Sequence, residues 1–80
     1  MKNAIFFDRD GTLIYDRGFI TNPEKVVFYS RTFDALKMLQ EKFELFIISN
    51  QSGIAKGMQS FEETEKVNKH IIGELAAQGI

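Results

Sequence analysis

The run Ala4-Ile5-Phe6-Phe7 stops at Asp8-Arg9-Asp10, and Gly11-Thr12 follow at once. Few features limit a fold more. A short continuous apolar run bounded by turn residues reads as a strand buried on both faces, the kind found in parallel sheets. Two carboxylates at its end do not belong in a dry core, so the strand tip must reach the surface. Gly11 lets the backbone turn sharply away, which keeps both aspartates exposed at that tip.

The remainder of the chain alternates in the same style. Asp10 to Lys25, with Gly11, Gly18 and Asn22-Pro23, reads as loop with tight turns. Val26 to Tyr29 is a short strand. Ser30 and Thr32 are candidate N-caps of a helix to about Lys42, with Phe33, Leu36, Leu39 and Phe43 as its apolar stripe. Phe43 to Ser49 is a second β-branched, apolar strand ending in a small polar residue, and Asn50 to Gln59 is loop. Ser60 to Glu63 has capping-box spacing; Phe61, Val67, Ile71 and Leu75 mark the next helical stripe, and Gly79 is its stop. The phenylalanines at 6, 7, 33, 43, 46 and 61 read as core, and His70 as a residue flanking the buried stripe. Strands alternating with helices predict an α/β fold, a Rossmann-like parallel sheet with flanking helices and right-handed crossovers.

At 80 residues the chain holds one small domain, and a domain of that size is marginal in stability unless something helps it. The net charge of −1 gives no electrostatic case for a nucleic acid or membrane partner. There is no cysteine, hence no disulfide or thiolate metal site within these residues. Apolar runs are far too short to span a membrane, and the N-terminus is too short for a signal peptide, so a cytoplasmic location is the expectation.

In open α/β sheets, ligands bind outside the carboxyl ends of the strands. The first strand ends in Asp8-Arg9-Asp10 and the second in Ser49-Asn50, so parallel neighbours would bring carboxylates and a hydroxyl to one rim. Residues i and i+2 project to the same side, letting Asp8 and Asp10 face one ligand while Arg9 points elsewhere. Paired carboxylates repel, and a hard cation such as Mg²⁺ relieves this, taking one or two of them together with water and phosphate. Thr12 can hold one carboxylate by hydrogen bonding. Backbone N–H groups in the glycine-containing turn after Ser49 suit an anion, and Lys56 adds a nearby positive charge.

These residues resemble a known family. Asp8-Arg9-Asp10-Gly11-Thr12 is similar to the DxDGT signature of haloacid-dehalogenase-like (HAD) phosphatases, and "IISNQSGIAKG" to their second motif. The fuller pattern looks most like the heptose bisphosphate phosphatase branch, with histidinol-phosphate phosphatases and polynucleotide 3′-phosphatases nearby. The resemblance implies Asp8 as the nucleophile that forms an aspartyl-phosphate, Asp10 as acid and base, and Ser49 with the Asn50 amide holding phosphoryl oxygens. It implies Mg²⁺ on the Asp8 carboxylate and the Asp10 carbonyl. It also places Arg9, Thr12, Asp16, Arg17, Gly18, Phe19, Asn50, Gln51, Ser52 and Lys56 on the substrate or phosphate side, with Phe19 standing where tyrosine is expected.

The 38 residues between Asp10 and Ser49 leave no room for an inserted cap domain. By the same resemblance, a catalytic lysine, a further metal-binding carboxylate and a zinc loop would all lie beyond Ile80. The expectation is therefore an N-terminal part of a HAD-like phosphatase domain over residues 1–80, incomplete at its C-terminus. Its open sheet edge invites self-association, and its activity alone should be weak or absent. The expected activity is Mg²⁺-dependent hydrolysis of a phosphomonoester, foremost a sugar bisphosphate such as D,D-heptose 1,7-bisphosphate. The alternatives are a non-catalytic module that retains phosphate or Mg²⁺ affinity, and a histidinol-phosphate phosphatase. A phosphate-accepting receiver domain also carries acidic residues at strand ends, but places them differently.

Overall fold

The computed structural model describes residues 2–49 and 56–80. Among them β1 (Asn3–Asp8) and β2 (Phe43–Ile48) pair in parallel, with Asn3 opposite Phe43 and Asp8 opposite Ile48. The pairing runs one step further, since the Arg9 N–H donates to the Ile48 carbonyl at 3.0 Å. Parallel neighbours need a crossover, and here a long loop and α1 (Thr32–Leu39) supply it. The second helix, α2 (Phe61–Ala77), follows β2.

The core lies on one face of this sheet. Leu36 of α1 and Val67, Ile71 and Leu75 of α2 join Leu13, Ile14 and Ile20 of the first loop in a single buried cluster. Phe7, Leu45 and Ile47 pack against it from the strands. The intervening strand residues look the other way: Phe6 is 63% exposed, Phe46 45% and Ile48 51%. Burial on both faces is thus corrected to burial on one, because among the described residues both helices share a single cluster. Phe6 and Phe46 stack with ring centroids 5.2 Å apart, each shielding part of the other from water. Phe61 is also exposed rather than core; it stands in the first turn of α2, and Thr64 begins the buried stripe.

Val26 to Tyr29 adds no strand to the sheet. Tyr15 N–H donates to the Val27 carbonyl at 2.8 Å and Tyr29 N–H to the Leu13 carbonyl at 3.2 Å, around an Ile14–Phe28 antiparallel bridge. The segment ties the loop to itself. Neither expected residue caps α1: Arg31 holds the N-cap position without a side-chain bond. Thr32 is the first helical residue, and its buried hydroxyl donates to the Leu13 carbonyl at 2.7 Å instead. The helix ends at Leu39 rather than near Lys42, because Phe43 already belongs to β2.

Both ends of α2 follow their local sequence. The Ser60 hydroxyl accepts from Glu63 N–H at 3.0 Å, and the Glu63 carboxylate accepts from Ser60 N–H at 2.8 Å. At the other end Gly79 is left-handed (φ +82°), with Ile80 N–H on the Leu75 carbonyl and Gly79 N–H on the Ala76 carbonyl. That is the Schellman arrangement, and it folds Ile80 back onto the core.

Candidate active site

The register decides where the chemistry-bearing residues stand. With Asp8 opposite Ile48 and the strands parallel, Asp8 and Ser49 both lie at the carboxyl rim of the sheet. Asp8 continues the outward alternation of Phe6 and is exposed. Ser49 is half-buried on the helix side, where it borders a cavity of about 230 Å³ with Arg9, Ile47, Asn68, Ile71 and Ile72. The two side chains therefore flank the rim from opposite sides of the strand pair.

After Asp8 the chain turns tightly. Leu13 and Ile14 N–H both donate to the Arg9 carbonyl at 3.1 Å, and Gly11 N–H donates to the Ile14 carbonyl at 2.8 Å. Gly11 adopts φ +83°, a conformation that an L side chain resists, and this is what swings the chain off the strand axis. The Asp10 carbonyl accepts no backbone hydrogen bond among the described residues.

Arg9 departs from expectation. The resemblance sets it with the phosphate-side residues, yet it is only 3% exposed and turns inward beneath the rim. Its Nε donates to Asp10 Oδ2 at 3.0 Å, its Nη2 contacts Oδ2 at 3.0 Å and Oδ1 at 3.3 Å, and its Nη1 donates to Asn68 Oδ1 at 2.7 Å. The physical reason is pairing: a guanidinium leaves water only where fixed acceptors meet its fork, and Asp10 and Asn68 supply them. The carboxylate anchor is thus Arg9 and not Thr12, which is exposed and donates to neither aspartate. Asp10 keeps 17% side-chain exposure, so its carboxylate is held but reachable.

The other expected residues surround this rim loosely. Asp16 lies near the turn, its Cβ 4.0 Å from where a Gly11 Cβ would stand. Its carboxylate accepts from Gly18 N–H at 3.1 Å and so shapes its own loop, while Gly18 is left-handed (φ +76°). Arg17 Nη1 donates to the Lys25 carbonyl at 3.3 Å, and Phe19 is 41% exposed. Lys56 is exposed in the turn before α2. Asn50, Gln51 and Ser52 lie outside the described residues. Among the described residues no group of three or more Asp, Glu, His or Cys side chains converges.

Sequence reasoning missed Asn68. A signal was present: Thr64, Asn68, Ile71 and Leu75 stand at helical spacing, so Asn68 puts an amide on the face that should be apolar.

Comparison with known proteins gives this geometry a context. The family model described as polynucleotide kinase 3 phosphatase matches residues 3–79. The chain belongs to that family. Its relatives include the D-glycero-β-D-manno-heptose-1,7-bisphosphate 7-phosphatase of Pasteurella multocida, 36% identical across 100% of this chain and 44% of the relative. The Haemophilus ducreyi protein of the same name is 39% identical over 85% of this chain and 38% of its own length. Two solved structures share the HAD-like fold. One is a protein of HAD-like phosphatase type from Mesorhizobium loti, with TM-score 0.89 and 28% identity over 99% of this chain and 38% of that one. The other is the D,D-heptose 1,7-bisphosphate phosphatase of B. bronchiseptica complexed with magnesium and phosphate, with TM-score 0.83 and 26% identity over 99% of this chain and 45% of that one. The chain thus spans about two fifths of the length of the relatives it matches. No helix among the described residues is long and apolar enough to cross a membrane.

Proposed function

We propose that this chain carries the nucleophile side of a Mg²⁺-dependent phosphomonoester hydrolase acting on a sugar bisphosphate of the D,D-heptose 1,7-bisphosphate kind. One observation carries the reading: the parallel register sets the exposed Asp8 and the half-buried Ser49 at one rim, with the Asp10 carboxylate held beside it. The names of the relatives support the substrate class.

In this reading the Asp8 carboxylate attacks phosphorus, forming an aspartyl-phosphate as the bond to the leaving oxygen breaks. Asp10 gives a proton to that oxygen, then takes one from the water that opens the intermediate. A carboxylate offers about four acceptor positions, and Arg9 occupies two or three of those on Asp10. Capacity remains for the exchanged proton. The Ser49 hydroxyl donates to a phosphoryl oxygen, and Asp16 to Phe19 meet the sugar.

The donor set suits a hard cation. An exposed Asp8 carboxylate and the Asp10 carbonyl, which accepts no backbone hydrogen bond among the described residues, would hold Mg²⁺, which needs only one or two protein oxygens beside water and phosphate. When bound, the ion offsets the charge on the phosphoryl oxygens.

The test is turnover by the native polypeptide that carries these residues. With Mg²⁺ it should release phosphate from D,D-heptose 1,7-bisphosphate, and Asp8→Asn should lower kcat by about 10³-fold or more. Undiminished turnover in Asp8→Asn would refute the mechanism. Absence of any Asp8-dependent turnover would leave the non-catalytic module as the better account. The family description favours a second reading, an end-phosphatase on nucleic acid. A higher kcat/KM on a 3′-phosphorylated oligonucleotide than on the sugar would select it.

A further inference from the structure

We propose that Asn68 is a positioning residue of this site: from α2 it fixes the Arg9 guanidinium, and through it the Asp10 carboxylate. The inference rests on the reading of Asp10 as the proton-transferring group, and it concerns what holds that group in place.

Arg9 and Asp10 are neighbours in the chain, and a neighbouring pair has no external reference. Their side chains can swing together while keeping their ion pair. Asn68 supplies the reference, because it stands 59 residues away and holds Nη1 at 2.7 Å, the shortest of the Arg9 contacts. It is itself well placed. Val67 is 0% exposed and Ile71 2%, so the turn of α2 that bears Asn68 is locked into the core. Arg9 is a pure donor, so the amide must present its oxygen.

Packing alone would not do this. Arg9 borders a cavity of about 230 Å³ together with Asn68 and Ser49, so among the described residues side chains do not enclose its guanidinium on every side. The Asn68 hydrogen bond therefore adds a directional restraint to the packing around Arg9. A shift of about 1 Å in a reacting group can cost on the order of 10²-fold in rate.

The experiment compares Asn68→Leu, Asn68→Ala and Asn68→Asp in the native polypeptide, with Asp10→Asn in the same assay. Leucine and alanine cannot accept from Nη1; aspartate can. We expect kcat to fall about 10- to 100-fold in Asn68→Leu and Asn68→Ala with KM within about twofold, and to return to within about threefold of the parent in Asn68→Asp. The Arg9 guanidinium resonances in ¹⁵N NMR should move in Asn68→Leu and Asn68→Ala and hold in Asn68→Asp. Should the leucine variant fail to fold, the alanine variant carries the comparison. Parental kcat in the alanine variant, or equal loss in the alanine and aspartate variants, overturns the inference. Full turnover in Asp10→Asn would instead remove the reading on which it stands.

Discussion

At the scale of single residues, the site is built on one buried cation between two acceptors. Arg9→Leu would strand the Asp10 carboxylate and the Asn68 amide near the core, and loss of one partner of a buried pair costs about 3–5 kcal/mol. Because Asp10 retains some exposure, the lower end, about 3 kcal/mol, is the expected loss in urea unfolding of the native polypeptide. A loss below about 0.5 kcal/mol would show that the pair contributes nothing. Gly11→Ala should cost about 1–2 kcal/mol through its left-handed backbone, since the added methyl itself meets nothing closer than 4.0 Å. The place of Asp8 and Asp10 at a strand tip, and the turn at Gly11, were legible in the sequence because apolar run, charge and glycine are neighbours along the chain. The inward turn of Arg9 was not, because its second acceptor comes from α2, and no local pattern says which helix face will approach a given strand tip.

At the scale of elements, the same contrast separates α1 from α2. Both ends of α2 were readable, since a capping box and a glycine stop satisfy orphan backbone groups with residues close in sequence. Ser60→Ala should therefore lower stability by about 1 kcal/mol, read as a drop in thermal midpoint; an unchanged midpoint would mean that the cap is not needed. The start of α1 departs from its local sequence because the Thr32 hydroxyl is drawn to the Leu13 carbonyl across the loop, a tertiary contact that displaces the local cap. The strand expected at Val26 to Tyr29 has the right residues, but its partner is the loop at Leu13 to Tyr15 and not a sheet edge.

At the scale of the whole molecule, periodicity foretold a strand and helix followed by a second strand and helix, the order found among the described residues, and the parallel pairing of β1 with β2 agrees with it. What periodicity did not give is which strand face the helices cover. A continuous apolar run reads as two-sided burial, whereas Phe6, Phe46 and Ile48 stand outside the core found among the described residues. That arrangement still leaves Asp8 and Ser49 at a common rim, and the functional reading depends on it. The decisive measurement locates the phosphoryl group on the protein while turnover is in progress. The native polypeptide is quenched in acid during hydrolysis of the sugar bisphosphate and reduced with borohydride, which converts an acyl phosphate of aspartate into homoserine. Peptide mass analysis should find homoserine at position 8 and nowhere else. Homoserine at position 10, or none at all while phosphate is released, would contradict the account.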